Sequence, residues 1–167
     1  VSYRRRRRPS GRAGDGMAVT KLYTIGYEKV GQADFVAALK AAKIKTLVDV
    51  REVANSRRAG FSKKSLAAAL DGAGIAYIHM KPLGTPKLGR EAARKGDTPT
   101  MTRIFEAKLV EPESQLALAE TAALARRGRT CIMCLEHDWR GCHRAIVARR
   151  IEDEFGLTPL HLSPEPH

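Results

Sequence analysis

From residue 21 onward, short apolar runs alternate with stretches whose apolar residues recur at spacings of three and four, and no other feature of the chain limits its fold so tightly. Leu22-Tyr23-Thr24-Ile25 reads as a strand ending at Gly26, and Phe35, Leu39 and Ala42 mark a helix over residues 31–43. Thr46 to Val50 is a short β-branched strand of the buried kind. Ser62 can cap a helix whose inner face is Leu66, Ala69, Leu70 and Ala73, closed by Gly74, and Ile75 to Ile78 is a third strand. The polar stretch 82–100 is long for a loop, so it is either functional or carries a short helix near residues 91–94. Ile104, Phe105 and Leu109 indicate one further helix; Leu116, Ala119, Ala123 and Leu124 indicate another, ended by Gly128. Thr130 to Leu135 is a fourth strand, Val147, Ile151 and Phe155 form the inner stripe of a helix over residues 142–155, and Leu160-His161-Leu162 is a last strand. Such alternation implies an α/β fold: a mainly parallel sheet of four or five strands with helices on both faces, a Rossmann-like three-layer sandwich.

Composition narrows the class. The chain of 167 residues, 43% hydrophobic, fits one domain, placed at residues 21–163. Nothing approaches ~18 consecutive apolar residues, so a transmembrane helix and a membrane partner are excluded. The basic N-terminus is followed by no apolar segment of the signal-peptide type. Cys131, Cys134 and Cys142 are odd in number and clustered, which suits a reducing cytoplasm better than a secreted disulfide scaffold. Of the net charge of +12, residues 1–16 hold six arginines against one aspartate, or +5, which leaves +7 for the rest. Residues 1–20 have no apolar face and are expected to be a disordered basic segment. Met17 is read as the initiator of an over-extended frame; the rival reading is an arm that binds nucleic acid without sequence preference. The oligomeric state is not legible.

In open α/β sheets ligands bind beyond the carboxyl ends of the strands. Tyr27 and Glu28 follow the first strand, Asp49-Val50-Arg51 ends the second, His79 and Lys81 follow the third, and Cys134-Leu135-Glu136 ends the fourth. Asp49 and Arg51 are either a local ion pair or part of a site, whereas Tyr23 and Tyr77, inside strands, are expected in the core. The densest chemistry is Cys134-Leu135-Glu136 followed by Cys142-His143-Arg144. Strand alternation puts Cys134 and Glu136 on one side. Cys142 falls at a helix N-terminus, where unpaired amides favour a thiolate, unless it packs as a small hydrophobe. His143 is a candidate acid or base, and Arg144 a partner for Glu136 or for an anionic substrate.

Three other chemistries compete for this cluster. A metal site could draw on Cys134, Cys142 and His143, but the usual paired spacing and an obvious fourth ligand are missing. A dithiol pair has no Cys-x-x-Cys across the loop, since Cys131 and Cys134 face opposite sides of a strand. A phosphatase-type loop would use Cys134 and Arg140 at Cys-x5-Arg spacing, but Glu136 and Asp138 would repel a phosphate and no glycine lies between. Neither a metal nor a cofactor is expected.

Taken together, Thr24-Ile25-Gly26-Tyr27, Asp49-Val50-Arg51 with Ser56-Arg57 and Phe61-Ser62, Gly74-Ile75-Ala76-Tyr77, Leu83-Gly84, Cys134-x-Glu136 and Cys142-His143-Arg144 resemble the bacterial domain-of-unknown-function 488 family over residues 22–162. One departure is Ala54, where that family commonly has proline. The resemblance implies a shared site and no particular reaction. The residues expected in it are Asp49, Glu136, Cys142 and His143 as catalytic groups, with Tyr27, Arg51, Ser56, Arg57, Cys134 and Arg144 binding substrate.

The leading expectation is a hydrolase or transferase acting on a small phosphate-bearing or nucleotide-like substrate, with Arg51, Arg57 and Arg144 holding the anion and Asp49 or Glu136 as the acid–base group. No Gly-x-Gly-x-x-Gly fingerprint follows the first strand and no Walker loop is present, which disfavours hydride transfer and ATP-driven work. The alternatives are a nucleic-acid-binding module, for which 5% aromatics leave few stacking platforms, and a thiol sensor built on Cys142.

Overall fold

The computed structural model describes residues 21–164; the expectations for residues 1–20 lie outside them. Five strands form one all-parallel sheet: β1 (Lys21–Gly26), β2 (Thr46–Asp49), β3 (Ala76–His79), β4 (Thr130–Cys134) and β5 (Thr158–His161), in the order β3-β2-β4-β1-β5. Helices α1 (Gln32–Ala41) and α2 (Lys63–Gly72) follow β1 and β2. Between β3 and β4 come α3 (Lys87–Arg94), α4 (Thr98–Leu109) and α5 (Pro112–Arg127), and α6 (His143–Phe155) links β4 to β5.

The α/β expectation therefore holds, and the pleat explains the layering. On one face Tyr23, Ile25, Leu47, Cys131 and Met133 pack against Phe35 and Leu39 of α1 and Leu66 and Leu70 of α2. On the other Leu22, Val48, Ile132 and Cys134 pack against α4, α5 and α6 through Phe105, Leu118 and Val147. Successive strand residues feed opposite cores, so both faces are buried and the strands read as nearly continuous apolar runs.

Details depart from the sequence pattern where polar groups pair locally. The polar stretch 82–100 carries the whole of α3 and the start of α4. Asp97 caps α4 by accepting from the Thr100 amide at 3.1 Å. Ser62 precedes α2 without capping it, because its hydroxyl oxygen accepts from the Ser56 amide at 3.1 Å instead, while its hydrogen goes to the Ser56 carbonyl at 3.3 Å. The buried face of α5 is Ser114, Ala117, Leu118, Thr121, Ala122 and Ala125, while Leu116, expected inside, is 61% exposed. The buried hydroxyls are satisfied: Ser114 donates to the Pro82 carbonyl at 2.8 Å and Thr121 to the Ala117 carbonyl at 2.8 Å.

Chain direction decides where a ligand can sit. β1 and β2 exit toward α1 and α2 on one face, but β4, which lies between them, exits toward α6 on the other. The connections part above β4, and that reversal opens a crevice at the carboxyl edge. Among the described residues no helix is long and apolar enough to cross a membrane.

Candidate functional site

The crevice is a cleft of about 540 Å³ whose lining includes Tyr27, Arg51, Asn55, Cys134, Glu136 and His143. Its floor is tied together by the backbone. The Tyr27 and Glu28 amides donate to the Cys134 and Leu135 carbonyls at 3.3 and 2.8 Å, extending the β1–β4 ladder past the strand ends. This continuation requires Gly26: a Cβ there would stand 1.7 Å from the Glu136 carbonyl oxygen. A Cβ on Gly84 would stand 2.2 Å from the Glu52 amide, so the connection after β3 closes against the loop after β2 only because residue 84 is glycine.

Below the cleft lies a buried ion pair. The Arg51 guanidinium donates to both Asp49 carboxylate oxygens, at 2.7 Å from Nη2 and at 2.9 and 3.1 Å from Nε, to the Phe61 carbonyl at 2.8 Å and to the Tyr27 hydroxyl at 3.2 Å. The Tyr77 hydroxyl donates to Asp49 at 2.5 Å. Burial alone would lower the Arg51 pKa, but the hydrogen bond and charge of Asp49 outweigh it and the value rises. Burial and the same carboxylate push the Tyr77 hydroxyl up. Asp49 is fully buried and does not line the cleft, whereas Arg51 presents an edge to it. Tyr77, expected in the core, is half-buried and serves this network.

Arg144 is the largest fully buried side chain. It donates to Thr24 Oγ1 at 3.2 Å, to Cys134 Sγ at 3.1 Å, to the His137 carbonyl at 3.2 Å and, at short range, to the Glu136 carbonyl. These bonds fold the segment after β4 back over the sheet and place a fixed positive charge beneath Cys134. The anion-holding role expected of Arg144 thus meets a guanidinium turned inward. Arg57 is exposed and outside the cleft lining, and Ser56 accepts from the Arg58 amide at 3.1 Å within its own loop. Of the expected anion-holding arginines Arg51 alone lines the cleft; the other cations of its lining were not singled out from the sequence: Arg90, which is paired with Glu52 and donates to the Thr85 carbonyl at 2.9 Å, and the exposed Arg94, both on α3.

Above Arg144 the reactive side chains converge. Cys134 Sγ lies 3.3 Å from a Glu136 carboxylate oxygen. Cys142 caps α6, its sulfur accepting from the Arg144 amide at 3.4 Å, as placement at a helix N-terminus predicts. The sulfurs of Cys134 and Cys142 lie at the bonding range of a disulfide, a pairing the sequence did not suggest; Cys131 is free and buried on the opposite face. The His143 Nε2 donates to the Val50 carbonyl at 2.8 Å, and its Nδ1 faces Cys142 Sγ at 3.8 Å. Burial holds the imidazole below its ordinary pKa. Arg140 pairs instead with Asp138 at 3.4 Å and lies over the Trp139 ring, so it stands apart from the Cys134 sulfur that a phosphatase loop would give it.

No curated protein and no solved structure matches the chain. A family model does, over residues 32–151, a span running from α1 to α6 that contains every expected site residue except Tyr27. It is the model described as domain of unknown function DUF488, and the chain belongs to that family.

Proposed function

We propose that the chain is a hydrolase or transferase for a small phosphate-bearing or nucleotide-like substrate bound at the carboxyl edge of the sheet. One observation carries this reading: a single cleft at the topological reversal has guanidinium groups of Arg90 and Arg94 on its α3 wall and a carboxylate, an imidazole and a cysteine sulfur, from Glu136, His143 and Cys134, on its β4–α6 wall. An anion held by the first wall presents its reacting bond to the second. Glu136 is the carboxylate suited to acid–base work, because it is half-buried and lines the cleft, whereas both oxygens of Asp49 are engaged by Arg51. In the proposed step Glu136 takes the proton of a water or acceptor hydroxyl as its oxygen bonds to the substrate, and the leaving group departs with the electrons of the broken bond. Asp49, Arg51, Tyr77 and Arg144 hold the walls in place from below.

The test is a panel of phosphate monoesters and nucleotides, scored first for binding by calorimetry and then for turnover. For the substrate that turns over, Glu136→Gln should lower kcat by roughly 10²–10⁴-fold, the usual worth of a positioned acid or base. Arg94→Ala should raise KM with little change in kcat. Absence of binding by every phosphate-bearing compound, or full kcat in Glu136→Gln, would refute the reading.

A further inference from the structure

We infer that Cys134, Glu136, Cys142 and His143 form a binding site for one divalent transition-metal ion, with zinc the ion their chemistry suits best. One ligand atom from each of the four lies within 4.8 Å of all the others. Two thiolates, an imidazole and a carboxylate are borderline-soft donors of the kind zinc takes in tetrahedral sites, with metal–ligand distances of about 2.0–2.3 Å. Donors so spaced reach a common centre by side-chain shifts in which the two sulfurs, paired in the structure, move apart.

The sequence objection to a metal was the missing paired spacing and fourth ligand. The fold removes both. The short helical turn Trp139–Gly141 brings Cys142 back to the end of β4, and the backbone past Cys134 keeps Glu136 on the same side.

Three further observations point to an ion rather than to a cystine or to packing. The first is the orientation of His143. A carbonyl can only accept, so the Val50 contact at 2.8 Å fixes the proton on Nε2 and leaves the Nδ1 lone pair facing Cys142 Sγ. A metal-binding histidine is held in this way, by giving its other N–H to a backbone carbonyl. The ring is steadied by the edge-on contact with Phe105, centroids 5.2 Å apart. The second is reach: the Cys134 and Cys142 Cα atoms are 7.7 Å apart, beyond the roughly 4.4–6.8 Å that a disulfide spans. The third is charge. Two thiolates and a carboxylate would be too negative for a buried site, but a dication and the buried Arg144 guanidinium, 3.1 Å from Cys134 Sγ, bring the formal sum to zero.

Cys134 and Cys142 are almost fully buried, and Cys134, Glu136 and His143 line the cleft. The ion therefore sits in the cleft wall with its weakest ligand, the carboxylate, on the open side. The inference shares this site with the function proposed above but requires no particular substrate.

The experiment uses the full chain, purified under thiol reductant from zinc-supplemented cells and desalted. Elemental analysis should find about one zinc per chain. After removal of zinc by a chelator, cobalt should bind with a thiolate-to-cobalt charge-transfer band and tetrahedral visible bands. Cys142→Ser and His143→Gln should weaken cobalt binding by at least about 100-fold, and Cys131→Ser should leave it intact. Should either variant fail to fold, the cobalt spectrum of the unsubstituted chain decides alone. No retained zinc together with a cobalt spectrum like that of the aqueous ion overturns the inference. So does a Cys134–Cys142 disulfide that forms quantitatively in a glutathione buffer while zinc is present, which would favour a thiol sensor. Neither result bears on whether Arg90 and Arg94 hold a phosphate, so the two proposals fail separately.

Discussion

Replacing Arg51 by methionine tests whether the buried ion pair holds the loop after β2 and hence one wall of the cleft. Methionine keeps much of the side-chain volume and removes the three guanidinium contacts to Asp49 together with those to Tyr27 and Phe61. Asp49, at 0% exposure, would keep only the Arg51 amide at 3.0 Å and the Tyr77 hydroxyl. Breaking a buried pair from one side costs about 3–5 kcal/mol, because the remaining charge stays buried without a counter-charge. For a domain of this size that corresponds to a fall of roughly 10 °C in Tm. Urea unfolding near neutral pH should show a lower midpoint at an unchanged m value. The double variant Asp49→Asn with Arg51→Met should recover about half of the loss, since the unpaired charge is gone but the Phe61 carbonyl still lacks its donor. A loss below about 1 kcal/mol in Arg51→Met would mean that the pair is solvated like a surface salt bridge and does not set the wall. Simple additivity in the double variant would show that the two side chains are not coupled.

Two other outcomes are open to measurement. Gly26→Ala puts a methyl group 1.7 Å from the Glu136 carbonyl oxygen, so the segment after β4 must move; the expected cost is about 3 kcal/mol or more by urea unfolding, and a change under about 1 kcal/mol would contradict the close approach. Trp139, the only tryptophan, stacks on His161 with centroids 3.9 Å apart, and Thr24 Oγ1, which accepts from Arg144, can donate its hydrogen to His161 Nδ1 at 2.6 Å. Burial, then the charges of Arg144 and Arg140, lower the His161 pKa, so in the window just below about 6.5 the unfolded chain binds more protons than the folded one. The neutral ring's contribution to stability is full above that value and lost as pH falls through the folded pKa, and quenching of Trp139 emission by the imidazolium should have its midpoint below 6.5. A midpoint above that value, or an unchanged transition in His161→Asn, would show that another group is responsible.

The order of strands and helices was legible because each apolar run is short and each helical stretch carries its own spacing. The inner face of α5 was not. In an alanine-rich helix the apolar stripe has little contrast, and the residues that turn inward include Ser114 and Thr121, which pass as interior only because each hydroxyl finds a carbonyl. The edge where the cleft opens followed from topology, but the cleft's other wall did not. Arg90 and Arg94 belong to α3, some forty residues before Cys134 in the chain, and nothing local marks them as facing it.

The inward turn of Arg144 was not foreseen, since the stripe Val147, Ile151 and Phe155 left it out, but its spacing carried the signal. Arg144, Val147, Ala148 and Ile151 recur at spacings of three, four and seven and are the buried residues of α6, so the arginine falls on the apolar stripe itself. A charge in register with a core stripe cannot be left unpaired, because an isolated buried ion costs more than any single packing contact returns. It must be met by acceptors converging from elsewhere in the chain, and those available are the Thr24 hydroxyl on β1, the Cys134 sulfur on β4 and the carbonyls of Glu136 and His137. Meeting that requirement folds the loop after β4 back over the sheet edge. The return in turn sets Cys142 against Cys134 and carries Glu136 and His143 to the cleft. The buried guanidinium is thus the physical link between the helical periodicity of α6 and the clustering of the four reactive side chains.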